Sequence, residues 1–475
     1  MSSFIWPPAV TQTQPCSLAA LLPPEILSLI FNHLTQTELI LAGNVSARWR
    51  AVSRDHPTFW RYIFVRDSTP VSLSLYTARM QPPRRGTSVK ITLTKDDAVT
   101  HNALRQAVLP LLGTNLACLR QLRIGVDCSA AADTLRALSH VAPRMEHIGV
   151  MFCNVGGRAN IPRLPAKFLG GDAPRLRFIE LTDVRVPHRL TPLAAFAHVF
   201  KASFVLTTDQ PFPPLDAARH LPRVKLLTYH VDANVTVDAT IRLTVPASCQ
   251  EFSARFRHQS NLDAVFSAIP SQSISRTRDI WVERPSVFTA NLLLSHLRDE
   301  IELIIFDFFH NGKYLVMIAF TSPPTLPRID TGMTRAFDQS RDGFHRDTPL
   351  AAYFGPHVAS RLVQITIPCW HLLRIIRRLP ELPALRELCI WFANGDELVR
   401  RTTQSQLIRA PGLSMLSAVF TLEKGKINSV DLVRFVGPLF GESGERVKQV
   451  DLKLTNAVTD KDLLTTTFKS LNQTV

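Results

Sequence analysis

Histidines and carboxylates come nearest to forming a chemical site in this sequence, and each pattern breaks where the chemistry needs it to hold. Asp232-Ala-Asn-Val-Thr-Val-Asp238 spaces its oxygens like a calcium loop. Val237, however, stands where that loop needs glycine, and Leu243 where a bidentate glutamate would close the cage. The alternation there reads as a strand. His140 with His147, and His188 with His198, could meet in space, although a lone histidine is more often a surface or core residue than a ligand. The seven cysteines are an odd number, and the nearest pair, Cys118 and Cys128, makes no Cys-x-x-Cys. That usage fits reduced thiols in the cytosol or nucleus better than a disulfide framework or a zinc site. No Walker loop, Gly-x-Gly-x-x-Gly, Gly-x-Ser-x-Gly or His-Glu-x-x-His occurs, and Gly156-Gly157 and Gly170-Gly171 are isolated turn pairs. The expectation is no catalytic residue, no metal and no cofactor. What remains is recognition.

Recognition points to residues 21–65. Pro23 and Pro24 suit the first turn of a helix, where a backbone N–H would be unpaired anyway, and Glu25 suits its positive end. Ile26, Leu27, Ile30, Phe31 and Leu34 repeat at helical spacing as one wide apolar stripe. Thr35 to Thr37 offers a stop and a new N-cap. Leu39, Leu41, Ala42 and Val45 continue the seam, followed by Trp49 and Val52. A break at Pro57 precedes Phe59, Trp60, Ile63 and Phe64. Three short helices are predicted. Taken singly, Leu27, Leu41 or Val52 is simply core. A unit of about 45 residues buries too little surface to be robust alone, so it should leave an apolar face for a partner. The first helix, with Trp49 and Trp60, is the expected place.

The order Leu22-Pro23-Pro24-Glu25, Ile30-Phe31-x-x-Leu34, Val45 followed by Arg48 and Trp49, and then Trp60 resembles the F-box. That helical module docks substrate receptors onto the Skp-family adaptor of cullin-based ubiquitin ligases. The resemblance implies adaptor contacts by Leu22, Pro23, Pro24, Glu25, Ile26, Ile30, Phe31, Leu34, Leu39, Val45, Trp49 and Trp60. Ser46 stands where the family often has cysteine, a small-for-small exchange.

The rest of the chain carries a degenerate repeat. After a connecting region at 66–87 a strand-like alternation begins at Val89, Ile91 and Leu93, and a helical pattern runs through Leu104, Val108 and Leu112. Leu119-Arg-Gln-Leu-Arg-Ile then recurs as similar phrases starting at Met145, Leu176, Val224, Leu362, Leu385 and Val447, with weaker copies at Ile301 and Leu413. Further copies are expected near Phe200, Phe252 and Ile280. Ala-Pro or Leu-Pro announces several, at Pro143, Pro174, Pro222, Pro383 and Pro411. Consecutive phrases are often about 23 to 31 residues apart, overlapping the leucine-rich period. Each strand–helix unit would stack on its neighbours to bury its apolar face. Of the Asn or Cys that usually follows, only Cys153 falls at the right offset, with Asn394 one residue late, so the repeat is irregular. The alternative is an ordinary α/β domain with buried parallel strands.

The whole is read as α/β: an N-terminal three-helix F-box, then an irregular leucine-rich-repeat-like strand–helix solenoid. Residues 1–20 form a flexible N-terminus, 21–65 the F-box, 66–87 a helical connection and 88–475 the repeat domain, with a long loop at about 321–350. In that order the chain resembles the large F-box families of mushroom-forming fungi. The formal charge of +15 suits an acidic partner or nucleic acid, but the basic residues are dispersed. No apolar run approaches the ~20 residues of a membrane helix, and no signal peptide is evident. The expected role is a non-enzymatic substrate receptor in cytoplasm or nucleus, binding a Skp-family adaptor, through it a cullin, and a target protein. The alternatives are a basic repeat protein binding RNA or DNA, and an F-box scaffold that directs no degradation.

Overall fold

The computed structural model describes residues 22–81, 86–153, 161–187, 193–207, 220–232, 245–308, 314–321, 333–340, 350–353, 355–369, 371–372, 381–392, 408–420, 425–440, 449–455, 457–459 and 461–474. The chain divides into two compact units, Met1–Val155 with Pro165–Leu176, and Gly156–Leu164 with Arg177–Val475.

The first unit opens with short helices, α1 (Pro24–Phe31), α2 (Gln36–Ala42), α3 (Ala47–Asp55) and α4 (Pro57–Arg61). The expected three helices are therefore four, because Pro57 starts a separate turn with His56 as its cap. The predicted apolar run past Trp60 leaves helix altogether and becomes strand β1 (Tyr62–Val65). Inside the connecting region runs α5 (Pro70–Met80), capped by Thr69. β2 (Thr87–Leu93) follows, then α6 (Ala98–Ala103) and α7 (Leu109–Asn115). Pro110 removes a donor from this helical run, and the backbone opens into a π turn at Leu104–Val108, where the Leu109 N–H donates to the Leu104 carbonyl. β3 (Leu119–Asp127), α8 (Ala131–Ala137) and β4 (His147–Cys153) complete the series. β1, β2, β3 and β4 pair in that order, all parallel. Val89, Ile91, Leu122, Ile124, Ile148 and Val150 fill one face. Tyr76 of α5 closes over the helical layer, its hydroxyl donating to the Val108 carbonyl at 3.1 Å.

In the second unit β5 (Phe178–Thr182), β6 (Lys201–Leu206), β7 (Leu226–Val231), β8 (Glu251–Phe256) and β9 (Asp279–Glu283) are parallel neighbours in chain order. α9 (Gln259–Ala268) and α10 (Ser271–Arg276) lie between β8 and β9 in sequence, and α11 (Val287–Ser295) follows β9. The order then breaks. β10 (Ile301–Phe308), β11 (Tyr314–Thr321) and β12 (Thr334–Ser340) form an antiparallel meander. β12 pairs with β9 and β10 with β13 (Leu362–Pro368), both parallel, so the β11–β12 pair is inserted between two repeats. β14 (Glu387–Phe392), β15 (Met415–Phe420), β17 (Asp451–Thr455) and β19 (Ser470–Thr474) continue the parallel series. β16 (Gly425–Ile427) and β18 (Ala457–Thr459) make a separate pair.

The long loop expected at about 321–350 is thus corrected at its centre. β12 escaped notice because one of its inward residues is Arg335, fully buried two residues before Phe337, where an alternating pattern would show a second apolar side chain. The guanidinium is held by three carbonyls, those of Thr334 at 2.8 Å and of Arg278 and Ile274 at 3.0 Å. Burial pulls its pKa down to about 10, against the charge of Asp279.

The recurring phrases are strands, including those expected near Phe200, Phe252 and Ile280. Leu119, Leu122, Ile124, Leu176, Ile179, Leu181, Leu385, Leu388 and Ile390 are all buried. The announcing prolines have a mechanism. Met145, Leu176, Val224, Leu385 and Leu413 each donate a backbone N–H to the carbonyl three residues back, at 3.0–3.2 Å, with proline second in the turn. Proline presets φ at that position, so each turn delivers the chain into its strand in register. Asp127 occupies the offset where Asn or Cys was sought; its carboxylate accepts the Ser129 N–H at 2.8 Å and bonds the turn as an asparagine would. Among the described residues no helix is long and apolar enough to cross a membrane.

Candidate functional site

The α1–α4 cluster is organised around Leu27, Phe31 and Leu39, with Leu22, Leu34, Ala42, Trp49, Val52 and Phe59 packed against them. Trp49 meets Phe31 edge to face, ring centroids 5.5 Å apart, which ties α3 to α1. His56 adds a second edge contact to Phe31 at 6.1 Å. Its Nδ1 accepts the Thr58 N–H at 3.3 Å, which leaves Nε2 to donate to Asn32 Oδ1 at 3.2 Å. Caps fix the helix starts. Thr35 and Glu38 exchange hydrogen bonds in a capping box, and these bonds, the Thr35 N–H first, lower the Glu38 pKa. Ser46 accepts the Trp49 N–H at 3.1 Å, which gives the hydroxyl at this position a defined task.

α1 carries two apolar faces, only one of which is used internally. Leu27 and Phe31, four residues apart, point into the cluster. Ile26 and Ile30, also four apart, remain 42% and 40% exposed, and Leu29 is 60% exposed. Ile40, Leu41 and Val45 at α2 and its end are 40%, 62% and 64% exposed. Pro23, Pro24 and Glu25 are exposed at the start of α1, Pro23 giving its carbonyl to the Leu27 N–H at 3.1 Å. Leu22 and Leu34 are half-buried against the core. Trp60 is half-buried with its ring edge on Phe59, and its indole N–H donates to the Arg54 carbonyl. Phe31 and Leu39, expected at a partner surface, have no accessible area and belong to the core. The remaining ten of the sequence-selected residues keep surface on this cluster.

Among the described residues, two of the histidines singled out by the sequence have partners of their own. His140 is bonded to the Ala137 carbonyl at 3.0 Å, and His198 receives an Arg223 N–H at 3.1 Å. His188 and residues 233–238 of the calcium-like stretch lie outside the described residues; Asp232 itself follows β7 and is bonded by His230 at 2.8 Å. Sequence spacing missed one grouping, Asp96, His101 and Asp127, whose ligand-type atoms lie within 4.8 Å of one another. It joins the segments after β2 and β3, which no local motif could reveal. His101 Nε2 lies 2.9 Å from Ser129 Oγ and 3.3 Å from Asp96, and Asp127 serves the turn described above. A hollow of about 510 Å³ is lined by Asn32, His56, Thr58, Trp60, Arg61, Thr87 and Arg120 among others.

The F-box-like family model matches residues 19–66, the span that holds this cluster. No curated protein matches the chain. Residues 19–66 are thus an F-box-like domain, followed by a long, mostly parallel series of strands consistent with leucine-rich-like repeats. An F-box-like domain implies docking on a Skp-family adaptor, and F-box proteins are typically adaptors without catalysis.

Proposed function

We propose that this chain is the substrate receptor of a cullin-based ubiquitin ligase. Residues 21–65 dock the Skp-family adaptor, 66–87 connect, and the strand–helix series in 88–475 presents a surface to a target protein in cytoplasm or nucleus. The observation that carries the reading is the second apolar face of α1. A helix that has already supplied Leu27 and Phe31 to its own core has no internal use for Ile26, Leu29 and Ile30. Pro23, Pro24 and Glu25 open the same helix, Val45 is exposed beyond the end of α2, and Leu22, Leu34 and Trp49 pack half-buried on the core, with Trp60 on Phe59. The mechanism would be proximity. Holding a target lysine beside a charged conjugating enzyme raises its effective concentration with no acid–base chemistry from this chain.

Each half-exposed isoleucine recovers roughly 1 kcal/mol on burial, so a single truncation would be easily masked. The test therefore deletes or charges the face. Co-expressed with a Skp-family adaptor and a cullin, the full chain should co-purify with both, and a chain lacking residues 15–66 with neither. Equal recovery of the two chains would remove this reading.

A further inference from the structure

The open face of β6–β9 and β12 holds a hollow of about 210 Å³, lined among others by Leu226, Thr228, Glu251, Ser253, Asp279 and Trp281. The strand registers set Trp281 directly beside Ser253 of β8 and Ala336 of β12. Small neighbours on both sides leave the indole standing clear of the sheet, 39% exposed on a surface where its own repeat gives it nothing to cover. Glu251 lies in register with Asp279, two residues before Ser253 and Trp281, which makes it the diagonal neighbour of the indole. With strands about 4.8 Å apart and two residues spanning about 6.6 Å, such neighbours stand about 8 Å apart, within reach of a group seated on the ring.

We propose that this hollow takes a lysine or arginine side chain from an extended segment of the target protein; that the occupant is a target rests on the receptor reading above. An indole face is the best aromatic platform for a cation. The Glu251 carboxylate is half exposed, and its ion pair with Arg278 is a long one at 4.0 Å, Arg278 being engaged with Asp279 at 2.8 Å. Lys201, the lysine in the lining, is turned aside, with its ammonium over the Phe178 ring at 5.2 Å. On the other side of Trp281, Arg255 is neutralised by Glu283 at 2.9 Å. A ligand carboxylate here would face Glu251 and Asp279, and an apolar side chain would leave Glu251 with no more than its long pair to Arg278. The +15 charge of the chain opposes a cationic ligand at long range, but charges beyond about 8 Å are screened at physiological salt, so the local carboxylates decide.

The probe is a phage-displayed library of random dodecapeptides, selected on the immobilised full chain at physiological salt. Retained sequences should share one lysine or arginine, and its replacement by glutamine should weaken binding about tenfold. Trp281→Ala and Glu251→Gln should each do the same. Both side chains are exposed, and an unchanged melting curve would show that the fold is kept. Sequences without a shared cation, equal binding to either variant, tighter binding of glutamate-rich or apolar peptides, or no selection at all would overturn the proposal. Adaptor capture is measured on the same preparations. A chain that selects cationic peptides but binds no adaptor would overturn the receptor reading and leave the hollow's chemistry standing.

Discussion

Ile26 and Ile30 differ from Leu27 and Phe31 by one helical step, and that step separates surface from core. Spacing alone shows both pairs as apolar and four residues apart, so the stripe was legible in the sequence but its division was not. The division comes from Trp49, which arrives from another helix and packs on Phe31. The same contact explains why Phe31 matched a docking motif yet is buried, and Leu39 is buried with it in the cluster core. Ser46 supports this arrangement from below. Ser46→Ala should cost about 1 kcal/mol of stability, read as a lower urea midpoint, while adaptor binding by the folded fraction is unchanged. Titration gives an independent check. Glu38 is lowered by Thr35, Asp67 by Thr69 and Asp97 by Thr100, all through hydrogen bonds to the charged carboxylate. Lowered folded values mean that the unfolded chain binds more protons over that range, so stability rises with pH. Their contribution is complete above the ordinary values of 4.5 for Glu38 and 3.8 for the aspartates, and fades as pH falls through the lower folded values. Urea midpoints should fall on acidification through that window, and less so in Thr35→Ala, which removes the side-chain half of the capping box.

Strands were the most readable elements, because Leu-x-x-Leu-x-Leu repeats wherever one face is buried and the announcing Pro sits at a fixed place before it. Copies with weak patterns, near Phe200 and Phe252, still became strands, since stacking on a neighbour supplies what local sequence lacks. β12 failed the same test for a physical reason, one of its inward side chains being an arginine held by backbone carbonyls, with Phe337 the apolar one. That chemistry predicts a sensitive joint. Arg335→Ala would remove three buried hydrogen bonds, to the carbonyls of Arg278, Thr334 and Ile274, of which that of Arg278 keeps the Thr334 N–H, and would leave a cavity, at a cost of about 3 kcal/mol. Hydrogen exchange should then quicken in β11 and β12 before β14 and β15 respond. Uniform exchange across all four strands would mean that the inserted pair is not held by this residue.

Across the whole molecule, two features of the sequence competed, a dispersed +15 charge and a short specific motif. If the charge served phosphate binding, affinity for RNA or DNA would persist near physiological salt and fall steeply above it. The account expects weak binding to a mixed oligonucleotide pool, lost by moderate salt; sub-micromolar, sequence-selective binding there would favour a nucleic-acid role. The motif covers little of the chain, yet it alone is matched by a family model, and the exposed face of α1 gives it a physical use. The central claim can be met in one measurement, the affinity of the full chain for an immobilised Skp-family adaptor, compared with that of Ile26→Glu/Ile30→Glu. Both positions are already exposed, so the double variant should melt close to the parent while its affinity falls about a hundredfold or more, as two carboxylates are forced against an apolar partner. Undiminished affinity in a folded double variant would contradict the account, because the free face of α1 would then not be the docking surface.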